Sequence, residues 1–224
     1  MCFENMPTFV VVPVKRLSEA KSSLSAALTP KQRRELVLTM LKDVLKAVSG
    51  ARSITGTIVI SPDDDIVKFA RKNGAEGVAD PGVELNEALR LAIQSALANG
   101  ATSVLIIPSD IPFLTANDIE NIVVMASSQR VVVIAPSKDN GTNALFLRPP
   151  DVMPLRFGGE SFPAHLSEAR RAGVTPRIYR SITVATDIDN PTDLVGTEKF
   201  GRSTHTHEFL KSLHGTKIFL TCLK

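Results

Sequence analysis

Three carboxylates on distant stretches of this chain are the residues best suited to chemistry. Asp110 follows the apolar run 104–107 and is framed by Pro108 and Pro112 in the stretch SVLIIPSDIPFL. A short β-branched run of that kind reads as a strand buried on both faces. Ligands of open α/β sheets bind just beyond the carboxyl ends of such strands. Asp187 and Asp189 alternate in TDIDNPTDL, so an extended backbone points both side chains the same way. Together the three offer hard oxygen ligands of the kind Mg2+ takes. Each also has a plainer reading. Asp110 suits a turn into a helix, and Asp187 and Asp189 suit an Asx-rich turn punctuated by Asn190 and Pro191. The adjacent Asp63, Asp64 and Asp65 read as first-turn acids favoured by a helix dipole rather than as ligands.

Groups that could face an anion lie elsewhere. Lys15, Arg16 and Lys21 sit in a Ser-rich loop after the first apolar run, 8–14, and could supply charge and donors to phosphates. Phe157-Gly158-Gly159-Glu160-Ser161 precedes a helix. Its free amides make an anion cradle, with Ser161 as the helix cap, and the two roles are compatible. Glu84 and Asn86, in the first turn of another helix, could read a nucleobase edge or cap that helix. GxxxxGK[ST] and GxGxxG are absent, which argues against a P-loop NTPase and a nicotinamide dehydrogenase. Neither a Ser-His-Asp nor a Cys-His set is visible. His205, His207 and His214 fit no familiar closed metal site.

The elements that must position these groups follow from periodicity. Apolar runs at 8–14, 57–60, 104–107 and 131–135 alternate with helical patterns, and 75–79 suits an edge strand. Thr29, Pro30 and Gln32 mark the start of the first helix as a capping box. The β-α alternation predicts a three-layer α/β/α, Rossmann-like, mainly parallel sheet. A strand at 142–147 has no helix before it, which predicts a hairpin and an antiparallel edge strand. A last strand is expected at 178–185. Residues 1–195 read as one domain, and 196–224 as a tail for packing or subunit contact, with a short helix around Phe209, Leu210 and Leu213 and a small strand at 218–220.

The 224 residues are 43% hydrophobic and carry a net charge of only +3, so nothing suggests a nucleic-acid partner. Two cysteines at opposite ends fit a reducing compartment. No apolar run approaches the ~20 residues of a membrane span, and the N-terminus lacks a signal pattern. The expected location is the cytoplasm.

Six stretches in order, VPVKRLSEAKSSLS, PGVELNEAL, IIPSDIPFL, DNGTNALFLRP, FGGESFPAHLSEAR and TDIDNPTDL, resemble the 2-phospho-L-lactate guanylyltransferases of the MobA-like nucleotidyltransferase group. The likeness runs from residue 8 to residue 194. It implies the nucleotide-diphospho-sugar transferase type of sheet. It also implies a Mg2+-dependent reaction of GTP with 2-phospho-L-lactate, giving lactyl-2-diphospho-5′-guanosine and pyrophosphate, in biosynthesis of the deazaflavin coenzyme F-420. Some relatives of that kind use phosphoenolpyruvate. By the resemblance Asp110, Asp187 and Asp189 are metal ligands. Thr142, Gly158 and Ser161 contact the phospho-acid. Lys15 and Lys21 fall in the basic loop that faces the phosphates and are expected to join Asp110 in catalysis, with Arg16 completing the neutralisation. From their positions alone, Glu84, Asn86 and the Pro108 backbone are the candidates for contact with the base. PVKRLSEAK replaces the GGxSxRMG start of the molybdenum-cofactor and sugar nucleotidyltransferases. The rival readings are a nucleotide-sugar transferase and a non-enzymatic nucleotide sensor. A homodimer is expected through the 142–150 hairpin and the apolar tail.

On this reading Ser161→Ala raises the KM for the phospho-acid and leaves that for GTP in place. Steady-state kinetics with each substrate varied in turn checks it; an unchanged phospho-acid KM contradicts the assignment.

Overall fold

Every residue of strand β1 (Thr8–Pro13) except the last is buried, as its unbroken apolar character demands. The computed structural model describes residues 6–19, 21–195, 197, 200 and 203–213. Around β1 stand β2 (Gly56–Ser61), β3 (Glu76–Ala79) and β4 (Ser103–Ile106), all parallel to it or to one another. With β5 (Val131–Pro136), β6 (Thr142–Arg148) and β7 (Arg177–Ile178) they form a seven-stranded sheet in the order β3-β2-β1-β4-β6-β5-β7. Successive side chains of β1 serve opposite faces. Val10 and Val12 join one core, with α1 (Pro30–Ser49), α2 (Asp64–Lys72) and α4 (Ala116–Met125). Phe9 and Val11 join the other, with α3 (Leu85–Ala98) and α5 (Ser161–Arg171). The three-layer α/β/α architecture is therefore as the periodicity predicts.

The helix starts are written locally. Thr29 accepts from Gln32 N–H while the Gln32 side chain returns to Thr29 N–H, and Pro30 opens α1. Asp63 caps α2, and Asp64 and Asp65 lie in its first turn, where Asp65 pairs with Arg34 at 2.6 Å. The acid triplet is thus helix-stabilising.

Two expectations are corrected. The antiparallel strand β6 exists but is not at an edge: it pairs with β4 on one side and β5 on the other, and all seven of its residues are buried. A hairpin dictates only one neighbour. The second was decided by the open flank of β4, and among the described residues the edge strands of the sheet are β3 and β7. The hairpin edge expected to carry a dimer contact is accordingly covered.

The strand expected at 178–185 stops after Ile178, and Ile182–Ala185 forms a short helix, α6. The cause is Asp118, buried at the start of α4. Its carboxylate accepts from Tyr179 Oη at 2.8 Å, Ser181 Oγ at 2.7 Å and Thr183 Oγ1 at 2.8 Å, besides Thr115 N–H and hydroxyl. That pull lifts the chain off the sheet. Burial opposes charge on Asp118, and the hydrogen bonds from Thr115, Ser181, Thr183 and Tyr179 prevail, so its carboxyl titrates below the usual range.

The C-terminal helix α7 (His205–Leu213) packs on α1 and puts Leu210 and Leu213 into the first core. Buried Asp43 of α1 caps it, accepting from His205 N–H at 2.9 Å and Thr206 N–H at 2.7 Å. His205 Nδ1 lies 2.8 Å from the same carboxylate, so this histidine serves the cap. His214 and the expected strand at 218–220 lie outside the described residues. Among those described, no helix is long and apolar enough to cross a membrane.

Asp118→Ala strands five donors at once and should lower folding free energy by about 3 kcal/mol or more. Urea unfolding at neutral pH measures it; a loss under 1 kcal/mol would show that water replaces the carboxylate at little cost.

Candidate functional site

Because β1 and β4 are adjacent and parallel, the loops leaving them share one rim. The loop after β1 closes in a 3-10 turn, Ser22–Ala26, entered through Lys21 in the left-handed conformation at φ 53°. That backbone costs a non-glycine residue about 1 kcal/mol. It is offset by what the side chain reaches. Lys21 Nζ lies 2.8 Å from Asp110 Oδ2 and 2.7 Å from Asp189 Oδ1, with the side chain only 9% exposed. Ile188 N–H donates to the Asp110 carbonyl at 3.0 Å, and the Ser23 hydroxyl donates to the Asp189 carbonyl. The segment 187–189 is therefore laid along the exit of β4, and the three acids meet at one rim.

Their charges are unevenly matched. Burial works against the Lys21 ammonium, but Asp110 and Asp189 outweigh it and hold its pKa above the ordinary lysine value. Asp187 is less well served. Its Oδ1 is buried without a hydrogen-bond partner, and the nearest cation, Lys138, is 3.9 Å away. Burial, followed by the charges of Asp110 and Asp189, pushes its carboxyl up to about 6. Lys138 is drawn instead to Asp193, with which it pairs directly. Asp193 in turn accepts from Asp189 N–H at 2.9 Å and Asn190 N–H at 2.7 Å, fixing the DIDN backbone. Asp110, Asp187, Asp189 and Asp193 thus share two ammonium groups, leaving an excess of negative charge.

The donor set fits a hard divalent cation: all oxygen, under-neutralised, with one buried carboxylate oxygen unpartnered. Among the described residues no three acid, histidine or cysteine side chains form a closed cage, because Lys21 stands between Asp110 and Asp189. Lys21 is thus placed in the acid cluster, paired with Asp110 and Asp189, apart from Lys15 and Arg16. Both of those remain exposed on the loop after β1, with the Arg16 guanidinium beside Gly82.

A second group of residues comes from the reversed strand. Running antiparallel, β6 brings its first residue, Thr142, level with Pro136 at the carboxyl end of β5, so Thr142 faces the same rim as the ends of the parallel strands. The Gly158 and Gly159 turn, at φ 119° and 40°, leads into α5. The helix is capped by Glu160 with no side-chain hydrogen bond, and Ser161 is its buried first residue, not its cap. Phe162 N–H donates to the Asn140 carbonyl at 3.0 Å, which ties this helix start to the β5–β6 turn. Thr142 and the FGGES loop are thereby neighbours.

Of the expected base contacts, Pro108 is half-buried just past β4, and Glu84 is the exposed N-cap residue of α3. Asn86 neither caps nor stands free. Its side-chain amide donates to the Phe157 carbonyl and accepts from Phe157 N–H, both at 2.9 Å. It clamps the glycine loop. Lys138, His165 and Arg156 stand in no motif that marks them in the sequence, and Asp193 reads there only as part of a turn. The one legible signal was the Asn190-Pro-Thr-Asp193 spacing, a capping box realised in the 3-10 turn Pro191–Leu194.

A family model described as "Guanylyl transferase CofC like" matches residues 8–219, further than the motifs that end at 194. The phosphoenolpyruvate guanylyltransferase of Sphaerobacter thermophilus is 45% identical over 84% of this chain and 91% of its own length. The 2-phospho-L-lactate guanylyltransferase of Methanothermobacter thermautotrophicus is 38% identical over 94% of this chain and 93% of its own. A crystal structure described as a nucleotide-diphospho-sugar transferase from Desulfovibrio desulfuricans G20 superposes with a TM-score of 0.75 at 21% identity, covering 92% of this chain and 94% of that one. At that identity the likeness speaks for the fold.

Asp187 binds its proton more tightly folded than unfolded, so its ionisation works against the fold. Its contribution to stability therefore falls as pH rises from about 4 through about 6, by on the order of 3 kcal/mol at most. Asp187→Asn removes that penalty. Without divalent cations, the variant should be more stable than the parent at pH 8 by about 1–3 kcal/mol, the gap closing as pH approaches 4. Urea unfolding at both pH values decides; no gain at pH 8 contradicts the charge excess.

Proposed function

The chain belongs to the CofC-like guanylyl transferase family, and from that premise we propose that it joins GTP to 2-phospho-L-lactate, releasing pyrophosphate and forming lactyl-2-diphospho-5′-guanosine. The observation that carries the proposal is the convergence of Asp110, Asp187 and Asp189 on one rim, in charge excess and with one buried oxygen unpartnered. These three would hold Mg2+, which when bound would polarise the α-phosphate and draw charge from the leaving pyrophosphate.

The rest of the work falls to the chain. The attacking group is a phosphate oxygen, already ionised near neutral pH, so no general base is required. What the protein must supply is alignment and positive charge. Lys15 and Arg16, exposed on the loop after β1, can turn to the triphosphate. Lys21 keeps Asp110 and Asp189 in place while no cation is bound. Thr142, the Gly158 amide and Ser161 would receive the phospho-acid at the start of α5, where the helix dipole favours an anion. Glu84 and Pro108 are the remaining candidates for guanine. A cytoplasmic setting and a homodimer are part of the same proposal, the dimer through a surface other than the buried β6 hairpin.

A second reading has its own support. The relative named phosphoenolpyruvate guanylyltransferase is 45% identical, against 38% for the one named for phospholactate. Phosphoenolpyruvate carries the same phosphate and carboxylate and differs by two hydrogens, so the residues named here would address both.

The test crosses GTP and ATP with the two three-carbon phospho-acids in the presence of Mg2+. Pyrophosphate release is expected with GTP and phospholactate. Release with GTP and phosphoenolpyruvate alone moves the assignment to the second reading, and none in any GTP arm overturns both.

A further inference from the structure

His165 is fully buried in α5, four residues and about one turn after Ser161, yet nothing in the proposed chemistry uses it. Its two ring nitrogens face different partners. Nε2 lies 3.0 Å from the backbone nitrogen of Arg156, a group that can only donate. Nε2 must therefore be the lone-pair nitrogen. In a neutral ring the proton then sits on Nδ1, which faces Thr142 Oγ1 at 2.9 Å. Burial keeps the ring neutral, holding its pKa down to about 4 against the pull of Glu168. Glu168, the acid on the same helix, is itself engaged by Arg156 Nε at 3.0 Å and Arg171 at 3.2 Å.

The consequence falls on Thr142. Its oxygen accepts from His165, and among the described residues it makes no other side-chain hydrogen bond. Its own hydrogen is left to point at whatever occupies the rim. A hydroxyl held that way is a committed donor and selects an acceptor-only, anionic oxygen. The same imidazole secures the glycine loop: it accepts from Arg156, and its ring meets Phe157 edge to face at 4.7 Å. Asn86 grips Phe157 from the other side.

We infer that His165 is a positioning residue whose Nδ1–H locks the Thr142 hydroxyl as a hydrogen-bond donor to the phospho-acid, while its Nε2 anchors the loop carrying Gly158. The inference rests on Thr142 being a contact for that substrate.

Two substitutions separate the two bonds. The Asn amide nitrogen falls near the imidazole Nδ1 position and can still donate to Thr142. The Gln terminus falls near Nε2 and can still accept from Arg156. His165→Gln, which loses the bond to Thr142, is expected to raise the phospho-acid KM about tenfold or more, the scale of one hydrogen bond to a charged group. His165→Asn, which loses only the loop anchor, is expected to raise it by a clearly smaller factor. The GTP KM stays within threefold in both. In a Thr142→Val background, His165→Gln should add nothing further. A role in packing alone would move both KM values together, or equally in the two variants, and overturns the inference.

A readout independent of turnover is the 15N spectrum of His165 in the wild-type protein. It should show a protonated Nδ1 and an unprotonated Nε2 that do not titrate between pH 5 and 8. The opposite tautomer, or titration in that range, overturns the orientation. If the wild type turns over neither phospho-acid, the functional reading fails and the substrate half of this inference with it. The spectrum still decides how the hydroxyl is held.

Discussion

Lys21 standing between Asp110 and Asp189 is the contact on which the rim depends. It joins residues from three distant parts of the chain, and without it three acids would face one another in a half-buried setting. Desolvation makes a buried ion pair a poor source of net stability, but removing one partner from such a pair is expensive. The arrangement is therefore better understood as holding carboxylates in position than as strengthening the fold. Asp187 is the residue left over. Its unpartnered oxygen and elevated pKa are a local cost that a cation would relieve.

The rim also depends on direction. Six strands run the same way and end there, and Thr142 reaches it because β6 runs the other way and starts there. One reversed strand inside the sheet thus sets a hydroxyl beside the helix start that carries Ser161. The His165 ring then does for Thr142 what Lys21 does for the acids, taking up one of its bonding positions.

Away from the rim, buried carboxylates act as fasteners. Asp118 gathers Thr115, Tyr179, Ser181 and Thr183, and so sets where the chain leaves β7 for α6 and the DIDN segment. Asp43 takes the amides that begin α7 and holds the C-terminal helix to α1. Each is satisfied by several donors, which is how an acid tolerates burial. Asp187 lacks that satisfaction and has two further acids beside it.

Much of this was legible in the residues. Most strands, the helix start at Thr29, the three layers, the three rim acids and the glycine turn all follow from periodicity, capping and proline placement, which are properties of neighbours along the chain. Tertiary structure decided the rest. Lys21 went to the acids, β6 to the interior, Asn86 to the Phe157 backbone and Ser161 to the first helical position. The expected last strand was cut short by Asp118. In every case the deciding partner lies dozens of residues away, or the outcome turns on how a loop closes. Local patterns specify which elements form and which face is apolar. They are silent on which polar group a side chain meets once water is removed, because that depends on burial and distance that exist only after the layers have packed.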